Sequence, residues 1–149
     1  MSAAIPHMNT TIDPQTGRVR DELAGESQRT YAMFNHLIGL LSLANVAIPF
    51  AGLIGTLIMW RVKRTESPFL DDHGREATNF QISLILYVII GVVFAVITLG
   101  IGAILAVPAI LALMVLKLVG SIRGAMAANR GEYYRYPLCI RFMNAPVEV

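Results

Sequence analysis

Apolar residues in this chain gather into two long runs without a formal charge, Thr30–Trp60 and Ala77–Leu116. Every Lys, Arg, Asp and Glu lies outside them. A surface helix of a water-soluble domain needs a polar face, and neither run leaves room for one. The pattern predicts an all-α integral membrane protein. Ala77–Leu116 is forty residues, which as one helix would be about 60 Å long, roughly two hydrocarbon thicknesses. Thr98-Leu99-Gly100-Ile101-Gly102 lies near its middle, where glycine permits a turn. Two spans follow, at about 74–98 and 102–130. The second is expected to bend at Pro108 and to continue beyond the membrane from Lys117.

Thr30–Trp60 is thirty-one residues, or about 46 Å of helix, long for one crossing and short for two. Asn45 and Pro49 mark a turn inside it. A hairpin of two short helices, about 28–44 and 47–63, places all twelve Lys and Arg residues on one side of the membrane. A single kinked span would put Arg18, Arg20 and Arg29 on the other. Basic residues favour the cytoplasmic side, so the expected architecture is a small four-helix bundle whose first two helices form a short hairpin, with both termini cytoplasmic.

The ends of the chain differ from this middle. Residues 1–26 are polar, with Pro14 and Gly17 early on, and read as a disordered tail. They lack the apolar core of a cleavable leader, so the first apolar stretch is expected to act as the insertion signal. Residues 27–130 form the transmembrane domain. Gly131 should stop the last helix, and 131–149 should be extended at the membrane surface. Tyr133, Tyr134 and Tyr136 beside Arg135 and Pro137 suit the headgroup layer. Tyr134, Tyr136, Leu138, Ile140 and Phe142 alternate with the period of a strand. Lying over the bundle is the plain reading; a docking edge for a partner is the sharper one.

In lipid, small residues bring helices together. Ala47, Ala51 and Gly55 recur every fourth position, as do Gly120, Gly124 and Ala128. Packing within the chain is the plain reading, and a seam with a second copy is the alternative. Asn79, Ser83 and Tyr87 make a polar stripe on the third helix, suited to interhelical hydrogen bonds or to a transport path. Neither apolar run contains the Asp, Glu, Lys or Arg that ion-coupled carriers use. His36, beside Asn35, reads as a neutral, hydrogen-bonded histidine near the interface rather than a proton shuttle.

Candidate chemistry is sparse. Asp71, Asp72, His73 and Glu76 form the one cluster resembling a metal site, but Asp71 or Asp72 also reads as a helix cap, with acids at the positive end of the dipole. The spacing matches no zinc hydrolase. Ser42 and His36 have no carboxylate near them in sequence, and no glycine-rich phosphate loop is present. We therefore expect no catalytic residues, no metal and no cofactor. The single Cys139 forms no internal disulfide, and basic residues dispersed around apolar runs give no reason to expect nucleic acid. The expected partners are the lipid bilayer, other membrane proteins and a second copy.

Three blocks carry a resemblance: Ile58-Met59-Trp60-Arg61 with Ser67-Pro68-Phe69, then His73-Gly74-Arg75-Glu76-Ala77-Thr78-Asn79-Phe80-Gln81-Ile82-Ser83, and the closing Ala128-Asn129-Arg130-Gly131-Glu132-Tyr133-Tyr134-Arg135-Tyr136-Pro137. Over about Tyr31–Phe142 the chain resembles a bacterial multi-pass membrane-protein family of unknown function, which has been grouped with the four-helix import-channel subunit of the chloroplast inner envelope. The resemblance implies four helices and a bacterial inner-membrane address. Two functions follow as expectations. One is a small non-enzymatic protein that binds or supports other membrane proteins, in translocation or assembly. The other is a small pore or carrier using the Asn79–Tyr87 stripe. A continuous polar cavity would favour the pore, and dry packing the support role.

Overall fold

The computed structural model describes residues 9–44 and 50–144. A two-stranded antiparallel hairpin, β1 (Thr10–Ile12) and β2 (Val19–Asp21), precedes α1 (Glu26–Ile38), a four-residue turn of helix α2 (Leu41–Ala44), α3 (Ala51–Lys63), α4 (Pro68–Ile97) and α5 (Ala103–Asn129). The turn expected at Asn45–Pro49, and Ala47 of the small-residue face, lie outside the described residues.

Among the described residues only α4 and α5 are long and apolar enough to span a membrane. Their most apolar windows have mean hydropathies of 2.7 and 2.4, and both windows are mostly exposed. A soluble protein would bury such surface. Here the bare flanks, including Val93, Val96, Ile97, Leu105 and Leu111, are left for lipid. The hairpin arms are shorter than expected. Thirteen residues each make about 20 Å of helix against a hydrocarbon core of about 30 Å. α1 ends at Ile38, and a Cβ on its C-cap Gly39 would displace the end of the Gln81 side chain.

The helix ends follow local chemistry. Ser67, not Asp71 or Asp72, caps α4: its hydroxyl accepts from Leu70 N–H at 3.2 Å, with Pro68 in the first turn. This corrects the expected cap. A serine before a proline starts the helix one turn earlier, so the two aspartates sit inside it. The α4–α5 turn falls at 98–102, where Leu99 and Gly100 have φ of 51° and 91°; Pro108 lies within α5, which continues through it. Gly131 ends α5 as expected. With φ 78°, it lets its own N–H reach Ala128 C=O (3.0 Å) while Glu132 N–H reaches Ala127 C=O (3.0 Å), a Schellman pair.

The polar N-terminus is not a loose tail over 10–21. Asp13 closes the hairpin turn by accepting from the N–H groups of Gln15 and Thr16. β2 then pairs with the segment after α5: Asp21 N–H donates to Gly131 C=O (2.9 Å) and Tyr133 N–H to Val19 C=O (2.8 Å). The long-range partner supplies what a lone hairpin lacks, and nothing in the local sequence announces it. The hairpin, the start of α1, the start of α4 and the end of α5 are thereby gathered at one end of the bundle, forming a polar head beneath the apolar α4–α5 hairpin.

Two cores fill this head. Ala24, Ala32, Phe69, Leu70, Ala128 and Tyr133 form one; Phe80, Leu84, Ala127, Tyr134 and Tyr136 form the other. The small-residue faces serve packing within the chain. A Cβ on Gly120 would lie 3.1 Å from the Tyr136 ring, one on Gly124 2.9 Å from His36 Nδ1, and one on Gly55 2.9 Å from Ile38.

Replacing Gly131 by alanine forces an L-residue into left-handed backbone beside the Arg29 guanidinium. We expect a loss of about 1–2 kcal/mol, read as a lowered midpoint of thermal unfolding in detergent. An unchanged midpoint would mean that the Schellman end does not anchor the head.

A buried polar rail that holds the C-terminal segment

The polar stripe of α4 is longer than the sequence suggested. Asp72, Glu76, Asn79, Ser83 and Tyr87 follow one another at intervals of three or four residues, so they share one helix face. Each binds the chain that follows Gly131. Arg135 donates from both terminal nitrogens to Asp72, at 2.6 and 2.9 Å. Glu76 accepts from Tyr136 N–H at 2.8 Å and from Arg141 Nε and Nη2, each at 3.1 Å. Asn79 reads the backbone of Met143 in both directions, donating to its C=O (2.8 Å) and accepting from its N–H (3.1 Å). Ser83 Oγ accepts from Ile140 N–H at 2.8 Å, and Tyr87 donates to Leu138 C=O at 2.7 Å.

This rail solves a specific problem. Residues 133–144 form no helix or strand, so their backbone groups have few partners of their own, and an unpaired group away from water is costly. Side chains of α4 supply those partners. The two carboxylates are fully buried, each against a guanidinium with solvent on its outer side. The expected strand alternation does not run through. Pro137 and Leu138 form a turn, with Leu138 at φ 56°. Tyr133, Tyr134 and Tyr136 are consequently buried, while Leu138 and Phe142 face outward.

At the centre of the head, three polar rings meet. His36 Nδ1 lies 2.8 Å from the Tyr136 hydroxyl, and His36 Nε2 lies 2.8 Å from His73 Nδ1. Protons in such a chain point one way at a time: either Tyr136 donates to His36 and His36 to His73, or the direction reverses. Burial pushes the Tyr136 phenol well above its ordinary range, so it stays a neutral hydroxyl. The chain links α1, α4 and the C-terminal segment. Phe80 stacks on Tyr136 at 3.9 Å between centroids, and Phe69 packs on His73 at 4.4 Å.

Glu132 is the second charged node. Its side chain is fully buried and meets Arg130 at 2.6 Å and Arg18 at 3.3 Å. Burial alone would raise its pKa, but hydrogen bonds from Arg130 and Arg18 outweigh this and hold it below the ordinary carboxylate value. Tyr133 donates to Asp21 Oδ2 at 3.0 Å, so the N-terminal hairpin and the segment after α5 are tied at the same place. Cys139 is a free thiol whose pKa is pushed up to about 11 by burial and by the nearby Glu76 charge, which makes it a poor nucleophile at neutral pH.

The sequence-derived candidates converge here to an extent their separate readings did not foresee. Asn79, Ser83 and Tyr87 meet the segment containing Tyr134, Arg135, Tyr136 and Pro137, while Gly120 and Gly124 admit Tyr136 and His36 to the surface of α5. The Asp71–Glu76 cluster is divided. Asp71 accepts from Trp60 Nε1 (2.7 Å) and pairs with Arg75; Asp72 and Glu76 turn to the rail. Among the described residues no three His, Cys, Asp or Glu side chains come together to hold a metal ion. Sequence reasoning missed the part played by Asp72, Glu76, Arg141 and Glu132. The four-residue spacing of Asp72 and Glu76 ahead of Asn79 was the available signal.

Two predictions follow from this geometry. Arg135→Ala leaves the Asp72 carboxylate buried without its bidentate partner and should cost about 3 kcal/mol. Arg141→Ala should cost about 1–2 kcal/mol, because that guanidinium is 40% exposed and water screens the pair. Thermal unfolding of both variants tests the order, and equal losses would contradict it. Glu132, with its depressed pKa, stabilises the fold above the ordinary value of 4.5, and that contribution is lost as pH falls through the lower, folded value. Glu132→Gln should therefore flatten the acid limb of a stability–pH curve below about pH 4.5. An unchanged limb would place the acid sensitivity elsewhere.

Comparison with known proteins gives one finding. No curated protein and no solved structure matches the chain, and the expected grouping with the import-channel subunit gains no support. Residues 27–143 match a family that includes the hairpin arms, both long helices and the segment bound to the rail. The chain belongs to the MamF/MmsF family, the magnetosome magnetite crystal formation protein family.

Proposed function

We propose that this chain is a non-enzymatic membrane protein that supports other membrane proteins during magnetite crystal formation, the process for which its family is described. The observation that carries this reading is the rail. The stripe that the transport alternative would use is occupied by the chain's own C-terminal backbone, which makes the head a rigid platform. The transport alternative thereby loses the feature that suggested it.

Acidic residues point the same way. Carboxylates are strong ligands for iron ions and mineral faces, yet no Asp or Glu occurs between Glu26 and Glu66 or between Glu76 and Glu132. The 98–102 turn and the residues joining the hairpin arms therefore carry none. In the head, Asp72, Glu76 and Glu132 are buried against arginines. Such a chain acts on mineral formation through proteins rather than by binding the crystal. The positive-inside pattern puts the head, with both termini, in the cytoplasm, where it meets soluble domains or cytoplasmic loops of its partners.

The test has two arms in a Cys139→Ser background. Cysteine at Glu66 should be labelled from the cytoplasmic side and cysteine at Gly100 from the opposite side. Full-length protein purified in mild detergent should carry a reproducible set of membrane proteins, and Arg135→Ala should shed them. Reversed labelling would overturn the orientation. Solute flux through proteoliposomes of the purified chain would overturn the support role.

A further inference from the structure

A cavity lies on the side of α4 opposite the rail. It is a cleft of about 400 Å³ between the hairpin and the two long helices, lined at one end by Ser42, Gln81 and Lys117 and at the other by Val88, Ile89 and Ile110. A volume of this size accommodates a small ligand or an acyl chain. From Gln81 to Ile89 along α4 the cleft runs about 12 Å, and from Gln81 to the end of α4 at Ile97 is about 24 Å. Its polar end therefore lies toward the head and its apolar end toward the middle of the membrane.

Lys117 was expected to begin the part of the last helix outside the membrane. Instead it is 9% exposed, and its ammonium donates to Ser42 Oγ. No ion pair to Lys117 exists among the described residues. Sequence sharpens the point, since the acid-free stretches Ser27–Thr65 and Ala77–Gly131 include every residue lining the cleft. A cation in a membrane-spanning helix calls for an anion or for water. Among the described residues the chain provides no anion here, and apolar side chains make up most of the wall.

We infer that this cleft binds one anionic phospholipid of the surrounding bilayer, its phosphate at Lys117 and Ser42 and one acyl chain along Leu84, Val88 and Ile110. The polarity of the cleft matches that of a lipid in its own leaflet, with the head at the boundary and the tail toward the midplane. Lipid enters sideways between the hairpin and α4, with no need for an aqueous path. The ammonium supplies preference for a net negative headgroup over a zwitterionic one.

Native mass spectrometry of the full chain released from micelles tests this. The probes are dioleoyl phosphatidylglycerol and dioleoyl phosphatidylcholine, with identical tails. Wild type should retain one phosphatidylglycerol about fivefold more strongly than phosphatidylcholine. Lys117→Gln should reduce that ratio to near one, and Lys117→Arg should restore most of it. Met114→Trp, which fills the cleft, should weaken retention of both lipids while leaving Lys117 in place. Equal retention by wild type, or a preference that survives Lys117→Gln, would overturn the assignment. Displacement of phosphatidylglycerol by inorganic phosphate would reveal a simple anion site and overturn it also. Circular dichroism of each variant separates lost binding from lost fold.

Discussion

Two carboxylates near the start of the fourth helix are fully buried, and their pairing governs how the chain closes on itself. Asp72 and Glu76 stand one turn apart near the start of α4, where removing a carboxylate from water costs several kcal/mol after relaxation. Arg135 and Arg141 meet that cost from a segment without regular structure. The dependence is mutual. The segment needs the helix for its backbone partners, and the helix needs the segment for its charges. Remove either and the other is left with unpaired polar groups. Tyr136 then carries the coupling inward, through His36, to α1 and to the second histidine on α4.

The long helices have two unlike halves as a result. Toward the 98–102 turn they are an apolar hairpin, exposed on most sides and stabilised by lipid. Toward the head they are surrounded by the short hairpin, the N-terminal strands and the C-terminal segment, and their inward residues mix the polar rail with the two apolar cores. Packing in the head is close enough that Gly74 abuts Trp60 and Gly124 abuts His36, where a Cβ would fall within 3 Å of its neighbour. Interiors packed this closely deform little, which suits a platform. Lys117 and its cleft lie on the boundary between the halves.

Much of the architecture is legible in the sequence. The charge-free run from Ala77 gave the two long helices, the glycine near its centre gave their turn, and Gly131 gave the end of α5. Asn79, Ser83 and Tyr87 stood out because polar groups in an apolar run must face something. Their target was not legible, since the contacts between α4 and the C-terminal segment span some fifty to sixty-five residues and nothing local encodes them. The N-terminal hairpin escaped notice for the same reason. Ten to twenty-one is polar and would be marginal alone; its order comes from Gly131 and Tyr133. The cap falls one turn earlier than expected because aspartates compete with a serine for that role, and only their side-chain partners, Trp60 and Arg75 for Asp71 and Arg135 for Asp72, show why the aspartates belong inside.

The rail is tested most directly by amide hydrogen exchange in lipid nanodiscs at Tyr136, Ile140 and Met143. Their N–H groups are bound by the side chains of Glu76, Ser83 and Asn79, not by any helix or strand. The account predicts that these three amides are protected to a degree comparable with those of α4, and that Asn79→Leu releases Met143 first. Exchange at all three positions as fast as in unstructured chain would mean that the C-terminal segment is not held, and the buried carboxylates would then require another explanation.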